Sequence, residues 1–267
     1  MTVIMGAVNV TPDSFSDGGR YLQTDAAIEH GLALRADGAD ILDIGGESTR
    51  PGAARIDPSE EQRRVLPVIR ELAAAGAVIS VDTMHASTAA ASVEAGASII
   101  NDVAGGLADP DMLRVAADLE AEIIISHWRG HSDDMYAQAV YDDVAKDVAS
   151  ELVDRIDAAA AAGIPPARII LDPGIGFAKR GAQNWEMLRG LDALVGLGPR
   201  VLIGTSRKRF LADLLEEGDA GEATERRRDL ATAVASVLGA QAGVWGVRVH
   251  DVAATRDALR VWEAWRG

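Results

Sequence analysis

Short β-rich runs alternate with helix-patterned segments from one end of this chain to the other, and no other feature narrows the possible folds as much. The runs lie at 3–8, 40–44, 78–81, 98–101, 122–126, 168–171, 200–203 and 244–249. Helical patterns fall between them at 24–37, 58–75, 86–95, 110–120, 142–162, 182–195, 207–216 with 224–242, and 251–265. In the clearest segment, Val144, Val148, Leu152 and Ile156 recur every fourth residue, Asp143, Asp147, Glu151 and Asp154 take another face, and Gly163 ends the helix. Strands separated by helices make a parallel sheet with right-handed crossovers. Strand starts spaced by roughly 20 to 45 residues leave about one βα unit each, and eight such units close a barrel. The expected fold is therefore α/β: a single (β/α)8 barrel over residues 1–267 with its site at the C-terminal ends of the strands. An open doubly wound sheet fits less well. The first strand lacks the Gly-rich turn of the dinucleotide fold, and no strand carries a phosphate-binding P-loop.

Composition removes several classes of function. A net charge of −15 argues against nucleic-acid binding, which needs a basic surface. There is no cysteine, hence no disulfide framework and no thiolate site, which fits a reducing cytoplasm. No stretch approaches the length of a membrane span, and the N-terminus lacks an export pattern.

The polar residues gather where a barrel would place its chemistry. The first strand runs into Asn9 and then into a loop rich in turn formers, Pro12, Gly18 and Gly19 among them. The other seven lead into Asp43-Ile-Gly-Gly-Glu-Ser-Thr-Arg-Pro-Gly52, Asp82-Thr83, Asn101-Asp102, Ser126-His127, Asp172-Pro-Gly-Ile-Gly-Phe177, Gly204-Thr-Ser-Arg-Lys208 and Arg248-Val-His250-Asp251. Singly, each has a plain explanation. Thr83, Asp102 or Asp251 can be the N-cap of the next helix, the glycine pairs can be turns, and His127 reads more readily as a satisfied rim residue than as a ligand. Eight polar strand ends on one rim mark a site. Asp82, Asn101 and Asp172 are acceptors suited to a flat heterocycle rich in N–H donors, such as an amino-pyrimidinone. Arg50, Lys208, Arg248 and His250 add the positive charge of an anion or diphosphate site. Asn9 offers a neutral oxygen, suited to Mg2+ held mainly by diphosphate oxygens and water. No zinc-spaced cluster and no Gly-flanked nucleophilic serine is present.

With these residues in place, the chain resembles the dihydropteroate synthase family over essentially its whole length. Seven segments in order carry the resemblance: Met5-Gly-Ala-Val-Asn-Val-Thr-Pro-Asp-Ser-Phe-Ser-Asp-Gly-Gly19, Asp43 to Gly52, Ser80-Val-Asp-Thr83, Ile100-Asn-Asp-Val103, Leu171-Asp-Pro-Gly-Ile-Gly-Phe177, Gly204 to Lys208, and Arg248-Val-His250. Ser126-His-Trp-Arg-Gly130 looks most like the actinobacterial branch. The resemblance implies a pterin-binding barrel that condenses 6-hydroxymethyl-7,8-dihydropterin diphosphate with p-aminobenzoate, forming 7,8-dihydropteroate and pyrophosphate in folate biosynthesis. This is the reaction that sulfonamides inhibit. It further implies that Asp82, Asn101, Asp172 and Lys208 bind the pterin, that Asn9 ligates Mg2+, and that Arg50, Arg248 and His250 hold the diphosphate with Thr49 nearby. Phe15, Thr49, Pro51, Phe177 and Ser206 would shape the p-aminobenzoate pocket, and Asp17 would steady a cationic intermediate. The loops 9–19 and 45–55 would close over the diphosphate.

Two departures stand out. Arg209 occupies a position where many relatives have a serine for the p-aminobenzoate carboxylate, and Trp128 stands where others often have Met, a packing difference. Two alternatives are weighed against the synthase. A methyltetrahydrofolate-dependent methyltransferase would share the acidic pterin residues but not the Ser-Thr-Arg-Pro, Ser-Arg-Lys and Arg-Val-His segments. A noncatalytic paralogue would be expected to lose the loop motifs. Finally, the stretch from Leu230 to Ala242 has no charge and only Thr232, Ser236 and Gln241 as polar side chains, so a homodimer burying this helix is expected, as the resemblance also implies.

Overall fold

Eight parallel strands, β1 (Val3–Asn9), β2 (Ile41–Gly45), β3 (Ile79–Asp82), β4 (Ile99–Asp102), β5 (Glu122–Ser126), β6 (Ile169–Asp172), β7 (Arg200–Ile203) and β8 (Gly246–Val249), close in chain order, with β8 paired back to β1. This is the (β/α)8 barrel that the alternation predicts. The structure, a computed structural model, describes residues 1–11, 20–47, 55–130, 137–217 and 221–267. Among these lie ten α-helices: α1 (Arg20–Ala36), α2 (Pro58–Ala74), α3 (Ala86–Glu94), α4 (Met112–Asp118), α5 (Val144–Ala161), α6 (Gly181–Arg189), α7 (Leu191–Val195), α8 (Arg209–Glu216), α9 (Glu225–Gln241) and α10 (Val252–Arg266). None of them is long and apolar enough to cross a membrane.

The two-residue period of the strands divides the core in two. Ile4, Val8, Leu42, Ile44, Val81, Ile123, Ile125, Leu171 and Ile203 pack outward against the helices. Met5, Ile41, Ile99, Ile124, Ile170 and Leu202 fill the barrel interior as a separate apolar plug. Side chains two residues further along most of these same strands, Asp43, Asn101, Ser126, Asp172 and, after Gly246, Arg248, form a polar layer above the plug. The apolar-in rule therefore ends partway up the barrel.

Side chains cap the starts of several helices. Asp57, Asp143 and Asp251 accept from Ser59, Lys146 and Ala254 backbone N–H groups, so the plain N-cap explanation holds for Asp251. Two expectations need correction. The segment 182–195 is two helices, because the chain turns at Gly190, where a Cβ would run into Ala145 of α5. The last strand starts at Gly246 and not at 244, since Val244 N–H is used to close the end of α9 on Gly239 O at 3.2 Å. Helix α9 also reverses the usual outer-helix pattern. Thr232, Ser236 and Gly239 face the barrel, while Leu230, Val234 and Leu238 are 66%, 53% and 58% exposed. The inward hydroxyls bond back within the helix, Thr232 to Arg228 O and Ser236 to Thr232 O, both at 2.8 Å, which removes the cost of burying them.

Candidate active site

Strand register brings the predicted residues side by side. Asp82 stands opposite Asn101, Ser126 opposite Asp172, and Gly45 opposite both Asn9 and Asp82. One pocket at the C-terminal end of the barrel is lined by Asp82, Asn101, Asp172, Phe177, Ser206, Lys208, Arg248 and His250, with Ser126, Gly174 and Gly204 between them. Asn9 ends β1 on the same rim. Phe15, Asp17, Thr49, Arg50 and Pro51 lie outside the described residues, as do most of the two loops expected to close over the site. At the feet of the second loop, Glu47 accepts from Ile56 N–H at 3.2 Å and pairs with Arg55 at 2.9 Å.

Arg248 organises the floor of the pocket. Its Nε donates to Asp43 at 2.6 Å and its Nη2 to Asp82 at 3.0 Å, so two of its five N–H groups are committed to carboxylates. Burial opposes the guanidinium charge, but Asp43 and Asp82 outweigh it and hold Arg248 firmly protonated. Asp43 is fully buried and was missed as a site residue in the sequence, although it opens the second motif. Its place in the inward series after Ile41 was the available signal. Asp43 also accepts from Asn101 Nδ2 at 3.1 Å. Because a carboxylate only accepts, this bond turns the Asn101 carboxamide so that its oxygen remains an acceptor for a ligand.

Burial pushes Asp82 up to about 7 against the pull of Arg248, and it raises Asp172 as well, opposed by Lys208. Lys208 is driven down to about 8 by burial, with Asp172 resisting. Oppositely charged groups displaced toward neutrality in one cleft are typical of a functional site. Asp172 is oriented by Gly174 N–H, which donates to Oδ1 at 2.6 Å. Lys208 donates to Ile175 O and stands 4.7 Å from the Phe177 ring centroid.

Ser206 Oγ accepts from the His250 backbone N–H at 3.1 Å and lies within hydrogen-bond distance of His250 Nδ1, at 2.8 Å. The Ser206 hydroxyl, expected in the p-aminobenzoate pocket, is thus engaged with His250 while Ser206 still lines the cleft. Arg207, at φ +58°, forks onto Asp229 of α9 at 2.7 and 3.0 Å and fixes the turn that carries Ser206 and Lys208. Arg209 turns to solvent, its side chain 89% exposed and 3.5 Å from Asp213, so it brings no side chain to the pocket.

His127 is buried and bonded on both ring nitrogens, in agreement with the plain reading of that residue. A wider cavity of about 250 Å3 lies between the end of β5 and α5, beside Trp128 and Leu152, but it gathers no comparable set of acceptors and cations.

The pterin binding enzyme family matches residues 5–250 of this chain. The dihydropteroate synthase of Mycobacterium leprae is 49% identical over 263 residues, covering 98% of this chain and 93% of that protein. Among solved structures, dihydropteroate synthase from Xanthomonas albilineans with 4-aminobenzoic acid superposes with a TM-score of 0.91 at 46% identity, covering 100% of this chain and 93% of that one. The same enzyme in complex with 7,8-dihydropteroate gives a TM-score of 0.88 at 43% identity, covering 100% and 94%.

Proposed function

The chain belongs to the pterin-binding enzymes, and within them to the dihydropteroate synthases, and from that premise we infer that it condenses 6-hydroxymethyl-7,8-dihydropterin diphosphate with p-aminobenzoate. The carrying observation is one cleft in which the acceptors Asp82, Asn101 and Asp172 stand beside the cations Lys208 and Arg248 and the imidazole of His250. The acceptors take the N–H edge of the pterin. The cationic side receives the diphosphate. The bond from the pterin methylene to the diphosphate oxygen breaks, and its electron pair leaves with pyrophosphate. The aniline nitrogen forms the new C–N bond with its lone pair and then releases a proton to solvent. An aniline is neutral at pH 7, so this chemistry needs no strong base. Lys208, Arg248 and His250 stabilise the charge that grows on the departing group. Arg50, Thr49, Phe15, Pro51 and Asp17 keep the roles that the resemblance implies. The carboxylate of p-aminobenzoate meets the backbone N–H of Arg209 and not its side chain.

For Mg2+, the residues present fit a sparse site. Asn9 supplies a neutral oxygen, and among the described residues no group of three or more His, Asp or Glu could hold an ion unaided. Such a donor set suits an ion completed by diphosphate oxygens and water. When bound, Mg2+ would neutralise charge on the leaving pyrophosphate.

The enzyme acts as a homodimer in this reading. Leu230, Val234 and Leu238 leave α9 with an exposed apolar face, and the adjoining α10 exposes Val261 and Trp265; a second copy about a two-fold axis would cover the α9 face. A cytoplasmic location is part of the same proposal.

The test is a pyrophosphate-release assay. Release should require both substrates and fall in excess chelator. Release that ignores p-aminobenzoate would overturn the reaction, and full turnover in chelator would overturn the metal.

A further inference from the structure

Lys179 has no part in the reaction described above, yet it is among the largest fully buried side chains, only 1% exposed. Its ammonium nitrogen lies 3.2 Å from Gly174 O, 3.2 Å from Phe177 O and 3.1 Å from His127 Nδ1. Three acceptors match the three N–H groups of a charged lysine. Because His127 Nδ1 accepts, the ring proton sits on Nε2, which is 3.0 Å from Glu151 Oε2. Arg129 closes the chain on the same carboxylate, with Nε at 3.1 Å and Nη2 on the other oxygen. Burial drives His127 down to about 4, so a neutral imidazole links the ammonium to Glu151, which is held at about 2 first by the His127 hydrogen bond.

The loop that Lys179 holds carries two residues of the site, Asp172 at its start and Phe177 near its end. Lys208 grips the same loop through Ile175 O and the Phe177 ring. Between them the two lysines take the carbonyls of 174, 175 and 177. The glycines make this possible. A Cβ on Gly176 would stand 2.9 Å from Lys208 Cδ, and one on Gly174, at φ +64°, would run into His127 O. Burial lowers Lys179 to about 7, with Asp172 opposing and Lys208, Arg129 and Glu151 also facing it. A methionine of similar length would fill the space without that cost, so packing alone does not explain a lysine here.

We propose that Lys179 is a positioning residue: oriented by the His127–Glu151–Arg129 chain, it sets the backbone of 173–178 so that Asp172 and Phe177 meet the two substrates together. The proposal rests on the synthase reading of the site. In Lys179→Met the donors vanish and the bulk remains. Pterin Kd by calorimetry and KM for p-aminobenzoate should each rise about tenfold, with kcat changed less, while circular dichroism shows an intact barrel. A Kd and KM within about twofold of wild type would overturn the proposal. Should Lys179→Met fail to fold, Glu151→Gln on the partly exposed face of α5 keeps the question open to measurement. It should raise the pterin Kd about threefold, and wild-type affinity there would equally overturn the idea. Wild-type protein that binds no pterin would sink the functional reading itself; wild-type binding with indifferent variants sinks only the role of Lys179.

Discussion

Replacing Asp43 with alanine removes the one acceptor shared by Arg248 and Asn101. Asp43 has no accessible surface, and its bonds to Arg248 Nε at 2.6 Å and Asn101 Nδ2 at 3.1 Å run through the barrel interior. Breaking a buried ion pair from one side costs about 3–5 kcal/mol. Arg248 retains Asp82 at 3.0 Å, which places this case at or below the lower end. The unpaired Asn101 amide adds about 1–3 kcal/mol. Against this, Asp43 Oδ1 is buried without a hydrogen-bond partner, so deleting it returns a desolvation cost of about 1–3 kcal/mol. The net loss is about 2–4 kcal/mol. At about 2 °C per kcal/mol for a chain of this size, Tm should fall by roughly 4–8 °C in differential scanning calorimetry. Pterin affinity should fall as well, since Asn101 can then rotate its amide and present a donor where an acceptor is needed. A Tm within about 1 °C of wild type would refute the view that Arg248 depends on Asp43 in a dry interior.

Three further outcomes follow from the same geometry. Asp82 is raised from 3.8 to about 7 in the fold, so its contribution to stability is present below the unfolded value and is lost as pH rises through about 7. The wild-type minus Asp82→Asn difference in Tm should therefore decline between those values, and a flat difference refutes the shift. Lys208→Ala and Asp172→Asn should each weaken pterin binding by about 1.5–3 kcal/mol in calorimetry while circular dichroism stays native; unchanged affinity in both removes them from the site. Val234→Arg, on the outward face of α9, should convert a dimer to a species near the 28.0 kDa of one chain in light scattering, and a wild-type mass already at that value ends the dimer proposal. Ala235 would be the wrong choice for that experiment, because it is buried.

The strand–helix alternation was enough to read the barrel, because hydrophobic period and turn chemistry are local properties. The rim was legible for a related reason. In a parallel barrel every strand ends at the same face, so residues at strand ends converge whatever their distance in sequence. Gly190 and Val244 escaped because the contacts that fix them, with Ala145 and with the end of α9, come from elsewhere in the fold. Composition could show that α9 lacks charge, but not that Thr232 and Ser236 would face inward and leave the leucines outside; only the neighbours of a helix decide which face is buried. Likewise, the sequence placed Arg248 and Asp82 in one site without showing that the guanidinium is shared by Asp82 and Asp43. Nor did it reveal Lys179 beneath the loop. Residue types and spacing determine which groups arrive at the rim. Which donor meets which acceptor, and so which charges are neutralised, depends on distances between strands far apart in the chain, and these exist only once the barrel has closed.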